Sequence, residues 1–456
     1  MNPTPPPTAS DTAERARLDV DVLVIGGGPA GTTAATTLAR RGWKVLLLEK
    51  DVHPRFHIGE SLLPMNLPIL ERLGVLEQVR AMGTLKLGAD FPVHDADDTT
   101  HVFRFDRALD PKFGYAFQVR RSEFDAMLFD NARANGVDAR MRVKVESLVH
   151  DADGRPTGAV ARDAEGDRLD VTMRYLVDAS GRDTFLGSRL KLKRKSTKHQ
   201  SAAIFSHFRG VQRRDGDDAG NITVDRFEYG WYWLIPLGDD VMSVGAVCFP
   251  EYLKQRQGLD NETFLMRTLM RTPSVARRMA GAARVAPVHA TGNYSYDCTR
   301  MTGPGWVMAG DAYAFIDPVF SSGVYLGMNS AEHAADVVDG SLRDPASEHA
   351  LQRAMERRLR RGLRHFSWFI HRFTTPVMQR LFAAPRNDWQ LEQAVISMLA
   401  GDVFDNPAVL RRLRLFRLVY AVNAIAIAPA ALRGWFARRR QVRAQFRGDT
   451  LHEGNP

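Results

Sequence analysis

Three glycines, Gly26, Gly28 and Gly31, close an apolar run in "LDVDVLVIGGGPAGTTAATTLARRGWKVLLLEK" (18–50). Their spacing is that of a backbone turn that cradles phosphate. Gly26 permits the tight turn, Gly28 lets the main chain approach a pyrophosphate, and Gly31 allows close helix–strand packing. The helix beginning near Ala30 turns its positive end and free N–H groups toward the phosphates. Glu49, which closes the second strand 23 residues after Gly26, is placed to accept ribose hydroxyls. Strand, glycines, helix, second strand and terminal acid in this order predict a dinucleotide site. The competing reading is a glycine-rich turn without a ligand. The fingerprint alone does not separate FAD from NAD.

A second run, "GWVMAGDAYAFIDPVFSSGVYLGMNSAEHAADVV" (305–338), repeats the order strand, Gly310-Asp311, loop, helix. An aspartate at a strand end can hold a polyol hydroxyl. A helix starting near Gly323 aims its positive end at the loop "VFSSG", where it would stabilise an anionic reduced flavin. This favours FAD over a nicotinamide.

The third chemical feature is "EYGWYWLIPL" (228–237). Strand alternation places Trp231, Trp233 and Ile235 on one face and Tyr232 and Leu234 on the other, and Pro236 ends the strand. The tryptophans are either core or the guard of something reactive.

The elements that must position these residues are those of an ordinary globular chain. With 456 residues, 44% hydrophobic and 25% charged, there is room for two or three domains and a large core. Two cysteines, Cys248 and Cys298, make no disulfide framework and lack metal-ligand spacing. The histidines form no HExxH-like cluster, so no metal is expected, and a reducing, cytoplasmic setting fits. Residues 1–17, rich in Pro and Thr, read as a disordered tail rather than a signal peptide. "SAAIFSHFRGV", "NITVDRFEYGWYWLIPL" and "VMSVGAVCF" alternate like antiparallel strands, and beyond about residue 340 the pattern turns helical.

Taken together, "GGGPAG", "HIGESLLP", "QVRRSEFD", "DASGRDTFLG", "GDAYAFIDPVFSSGVYLGMNSA" and "AVISMLAGDVF" resemble the flavin-dependent halogenases, within the aromatic-hydroxylase-like FAD fold. Trp231-Tyr232-Trp233-Leu234-Ile235-Pro236 is similar to the family's W-x-W-x-I-P. The resemblance spans about residues 18–405. It implies an α/β fold, with a doubly wound Rossmann-type FAD-binding domain, a mixed β-sheet substrate domain and a helical C-terminal region. The expected division is FAD domain 18–195 (with 85–115 contributing to the substrate domain), substrate sheet 196–290, FAD-domain return 291–345 and helical region 346–456.

The resemblance also implies a chemistry. Reduced FAD reacts with O2 to give a hydroperoxide on the ring, chloride or bromide attacks it, and the hypohalous acid is held beside an electron-rich aromatic substrate by a lysine. That lysine is carried onto Lys86 in "TLKLGADF", similar to the family's K-x-G-x-x-F; alone, it would read as a solvated strand lysine. Cofactor contacts are carried onto Gly26, Gly28, Ala30, Gly31, Glu49, Lys50, Glu60, Ser61, Arg121, Gly310 and Asp311. The halide is carried onto the amides of Ser322 and Gly323, which also suit plain N-caps. The active-site wall is carried onto Trp231, Trp233, Pro318 and Phe320. In "IDPVFSSG", Asp317 stands without the catalytic glutamate of tryptophan-specific members, which points to the phenol- and pyrrole-acting branch and to substrates tethered to an acyl or peptidyl carrier protein. Ser180 replaces the aspartate that hydroxylases of this fold share between flavin and NADPH, so FADH2 is expected from a separate flavin reductase. The alternative function is an FAD-dependent monooxygenase or ene-type oxidoreductase of the same fold.

Net charge is +9, and the ten arginines between 411 and 447, unaccompanied by lysine or acid, account for the whole excess. This segment reads as a packed terminal helix with a solvated end, as peripheral membrane contact through 411–447, or as a dock for an acidic carrier protein. No nucleic-acid reader motif accompanies it.

Overall fold

Val22–Ile25 is buried at every position, as a parallel strand covered on both faces must be. In the computed structural model, which describes residues 16–93, 99–195, 201–292 and 295–426, this strand lies inside a six-stranded sheet. Val45–Leu48 and Tyr175–Asp178 flank it in parallel; Asp138–Arg140 and Trp306–Met308 continue the parallel set outward, and Thr302–Gly303 adds an antiparallel edge. The helices Pro29–Arg40 and Gly323–Arg343 pack together against this sheet. The parallel strands finish at one edge of the sheet, which brings Gly26, Glu49, Ala179 and Gly310 together; α/β sheets place ligands at this edge.

A four-stranded sheet lies beside it, and Ala16–Asp19 is its edge strand. The sequence predicts disorder through residue 17, but Ala16 and Arg17 pair with Leu169 and Asp170. The open edge of Arg168–Thr172 offers ladder hydrogen bonds, and these outweigh the local composition.

The larger sheet is mixed. Ala202–Arg209, Val241–Cys248, Gly230–Pro236 and Ile222–Phe227 run antiparallel in that order; Gly88–Pro92 then joins Ile222–Phe227 in parallel, and Thr100–Arg104 follows. Gly230–Pro236 is buried along its length. Its two faces serve two cores. Trp231, Trp233 and Ile235 belong to the main core, while Tyr232 and Leu234 pack under Asn261–Leu269, where the Tyr232 hydroxyl donates to the Thr268 carbonyl at 2.8 Å. Thr84–Lys86 stays out of this sheet and pairs with Ala116–Gln118. The C-terminal region is helical: Glu348–Ile370, Pro376–Ala383, Leu391–Leu399 and 407–426. The rest of the basic segment, from 427 on, lies outside the described residues.

Candidate active site

A cavity of about 730 Å³ opens at the edge where the parallel strands end, inside the usual range of small-molecule sites, roughly 300–1,000 Å³. Its lining runs from Glu49 and Lys50, past Gly26, Gly28 and Ala30, past Arg121, Gly310 and Asp311, to Trp231 and Trp233 on the other sheet.

The three glycines differ in what they do. At Gly26, φ is 102° and an added Cβ would lie 2.4 Å from the Ala179 carbonyl oxygen. At Gly31 a Cβ would lie 1.8 Å from the Gly26 carbonyl oxygen, so this residue sets helix–turn packing and does not face the cavity. Gly28 has nothing nearer than 3.9 Å and leaves the cavity open above the start of the helix Pro29–Arg40.

Glu49 is 4% exposed and already well held: Oε2 accepts from the Gly27 amide at 2.7 Å and Oε1 from the Asp51 amide at 2.9 Å, with Arg55 3.5 Å away. Lys50 is ion-paired with Asp183, which raises its pKa. Arg121 is locked by a two-pronged bond to Asp125 (2.7 and 2.9 Å) and donates to the Ile58 carbonyl at 2.7 Å. Asp311 is pushed up to about 6 by burial, against the pull of Arg121 and Arg182. The Glu60 Oε2 atom is buried without a hydrogen-bond partner among the described residues. An open glycine cradle at a helix start, a held acid at the second strand's end and an orphaned buried carboxylate oxygen fit a bound dinucleotide.

At the far end, Pro318, Ser321 and Gly323 line the cavity. Ser321 has φ 57°, its amide donates to Pro318 at 2.8 Å, and the helix Gly323–Arg343 begins two residues on, its first-turn N–H groups lacking intrahelical acceptors. Ser322 is 1% exposed and its hydroxyl has no partner among the described residues. Phe320 departs from its expected place in the wall. Its ring packs on Phe373, 5.4 Å between centroids, and is not part of the cavity lining. It is the first ring of an aromatic cluster that continues through Phe91, Phe382 and Phe103.

One hydrogen bond pins the tryptophan wall: the Trp233 indole donates to Ser243 at 3.2 Å. Trp231 favours the charged form of the neighbouring Asp317 carboxyl. Burial pushes Asp317 up to about 6, with the Val319 amide and Trp231 opposing. Behind Trp233 lies Gly245, its cross-strand partner; a Cβ there would fall 2.3 Å from the indole ring.

Lys86 is 1% exposed, and burial pulls its amine down to about 7, with Asp90 pulling the other way. Nζ donates to Ser61 Oγ at 2.9 Å and to the Leu62 carbonyl at 3.0 Å, with the Phe105 ring 5.2 Å away. Two donors are thus committed, which leaves the third proton of an ammonium, or the lone pair of a neutral amine. Ser61 and Glu60 line the cavity directly; Lys86 stands one side chain behind them.

Several groups in and around the site are not singled out by the sequence, and of these His57 lines the cavity. His57 sits beside Arg121, and burial lowers it to about 4. His207 Nε2 lies 2.8 Å from Glu60 Oε1. Phe56 stacks on His289 at 4.2 Å. Asp90, fully buried and raised to about 7 by desolvation, accepts from Asn221 at 3.0 Å. Alternation in "AIFSHF" places His207 on the same face as Ala203 and Phe205, a readable signal. The Glu60 contact spans 147 residues and is not readable.

Residues 19–368 match the FAD binding domain family. The chain is 37% identical to a tryptophan 2-halogenase of Chondromyces crocatus over 69% of its own length and 60% of that protein's, so it spans less than two thirds of that relative. It is 32% identical to a 1H-pyrrole-2-carbonyl-[peptidyl-carrier protein] brominase of Pseudoalteromonas luteoviolacea, over 71% of this chain and 78% of the relative. Among solved structures, the myxobacterial chondrochloren halogenase superposes with a TM-score of 0.74 at 32% identity, covering 89% of this chain and 97% of the other. A flavin-dependent brominase superposes with a TM-score of 0.77 at 28% identity, covering 88% and 99%.

Proposed function

Because the chain belongs to the flavin-dependent halogenases, FAD-dependent oxidoreductases, we propose that it oxidises chloride or bromide and places the halogen on an electron-rich aromatic ring. The observation that carries this reading is Lys86: a buried amine with pKa near 7, tied to the Ser61 hydroxyl on the cavity lining.

FAD would be held by the Gly26–Gly31 turn, Glu49, Arg121 and Asp311, and when reduced it supplies the two electrons that activate O2. The chain's own residues do the rest. The amides at Ser322 and Gly323, at a positive helix end, hold the halide. Trp231 and Trp233 fill the boundary between the cofactor cavity and the substrate sheet, so an organic substrate is kept from the oxidant's source while a small inorganic ion passes. The Lys86 amine holds hypohalous acid by a hydrogen bond, or as a haloamine. Substitution at carbon releases one water: the ring loses a proton and gains the halogen.

The substrate class is a phenol, a pyrrole or an aryl polyene. A pyrrole-carrier brominase among the relatives supports a substrate tethered to a carrier protein. The run "IDPVFSSG", which has Asp317 but lacks the catalytic glutamate of the resembled family's tryptophan-specific members, points the same way, because a phenol or pyrrole activates its own ring. A separate reductase supplies the reduced flavin; Ser180 spends its side chain on the Phe185 amide at 2.9 Å.

The deciding experiment gives the protein FADH2 from an added reductase, O2 and bromide or chloride, with a phenolic probe. Halide-dependent product that disappears in Lys86→Ala supports the reading. Oxygenated product formed without halide overturns it in favour of a monooxygenase.

A further inference from the structure

The helix 407–426 is amphipathic in an unusual sense. One face packs on Glu348–Ile370: Phe416 lies on Phe369 at 5.2 Å and Tyr420 on Trp368 at 5.2 Å. The opposite face is not polar. Leu418, Val422 and Ile425, spaced to share one side, are 60%, 58% and 74% exposed. Trp389, 70% exposed, borders the same helix across a cleft it shares with Val419 and Asn423. Exposed apolar side chains singly mean little, but a helix-spaced row of them marks a contact surface.

The charge around this row is of one sign. Arg361, Arg364, Arg414 and Arg417 crowd His365, and Arg417 is itself held below its ordinary value by burial and by Arg372, Arg414 and Arg364. None of Arg361, Arg364, Arg411, Arg414 or Arg417 has an ion pair to a carboxylate among the described residues. A patch of guanidinium groups of one sign is complementary to an anionic surface.

We propose that the face carrying Leu418, Val422, Ile425 and Trp389, flanked by Arg364 and Arg414, lies on an anionic lipid bilayer. An acidic protein would match the arginines but would need a ready groove for three aliphatic side chains in a row. A bilayer takes both: phosphates for the guanidinium groups, the acyl boundary for the aliphatics, and the interface for the indole. Among the described residues no helix is long and apolar enough to cross a membrane, so the contact is in the plane of the surface. The sequence beyond 426 keeps the same mixture, with Trp435 and Phe436 among arginines and no acid before Asp449.

The test is vesicle flotation of the full-length protein. With phosphatidylcholine–phosphatidylglycerol vesicles the protein is expected to float, less so in high salt, and with phosphatidylcholine alone to stay behind. The triple variant Leu418→Glu/Val422→Glu/Ile425→Glu and, separately, Arg364→Gln/Arg414→Gln should each lower flotation by on the order of tenfold or more. Both should keep the wild-type melting temperature and FAD content, since the altered side chains face solvent. Failure to float with the anionic vesicles overturns the proposal. So does flotation untouched by the triple variant, which would leave only diffuse charge attraction. Binding of an acidic carrier protein, lost in the same variants while vesicles are ignored, overturns it in favour of a protein partner.

Discussion

Lys86 reaches the cavity only through Ser61: its amine donates to the serine hydroxyl at 2.9 Å, and the serine, not the lysine, forms the lining. A reactive amine is thereby kept dry and aimed by a neighbour 25 residues away in sequence.

The buried amine has a signature in stability. Its pKa is 10.5 when solvated and about 7 in the fold. Between those values the unfolded chain binds more protons, so stability from this group rises as pH climbs from 7 toward 10.5, and below 7 the buried charge costs its full amount. Lys86→Met should therefore raise the melting temperature, most at about pH 6 and less at about pH 9, while cutting halide-dependent product roughly 100-fold or more. Thermal melts across pH check the first part; an equal gain at both pH values would mean the amine is not desolvated.

Trp231 and Trp233 should control coupling rather than turnover of the cofactor. Replacing both with Leu is expected to raise hydrogen peroxide released per FADH2 consumed, with FAD content unchanged. The loss of packing should cost several kcal/mol at most, given about 3–5 kcal/mol for truncating a buried Trp to Ala. Peroxide and product measured in one reaction decide it, and an unchanged ratio would return the pair to ordinary core.

Asp317 sets the loop 314–323 beside Trp231, and its pKa of about 6 lies above the 3.8 of a solvated carboxyl. The folded state takes up the proton in that window, so stability from this group is fullest below 3.8 and falls as pH rises to 6. Asp317→Asn should flatten that part of the melting-temperature profile. The wild type should also lose coupling as pH drops through 6, when the carboxylate beside Trp231 is neutralised, whereas the Asn variant should show no such step.

Glu49 accepts two main-chain N–H bonds and still faces the cavity. Glu49→Gln keeps the size but removes the charge and one acceptor. Charge-assisted bonds are worth about 1.5–3 kcal/mol, so FAD affinity should fall on the order of tenfold to a hundredfold. Flavin fluorescence titration reads this directly; unchanged affinity would remove Glu49 from the cofactor site.

What the sequence disclosed was mostly local. The glycine turn with Glu49, and the alternation of Trp231, Trp233 and Ile235 against Tyr232 and Leu234, follow from spacing within single strands and turns. The start of the helix at Gly323 was equally plain. The direction of the Phe320 ring is not legible because a loop has no period: the ring packs on Phe373, a contact 53 residues away in sequence. Ala16 and Arg17 look like tail in the sequence because the strand they join lies some 150 residues on, at Leu169 and Asp170. The links of Lys86 to Ser61 and Leu62, and of Glu60 to His207, are set by sheet topology, which side-chain patterning does not encode.

Gly245 bears on how such a site could change over generations. It meets no ligand, yet the Trp233 ring occupies the room its missing side chain leaves. Any larger residue at 245 must push the indole toward the cavity beside it and must also displace Phe205, whose Cβ would lie 2.5 Å from the new side chain even if Trp233 had first been replaced by something smaller. Trimming 233 first leaves a void; enlarging 245 first leaves a clash. A lineage that resizes this chamber must cross one of two costly intermediates, so the order in which substitutions arrive, and not only their sum, governs which aromatic rings its descendants can accept.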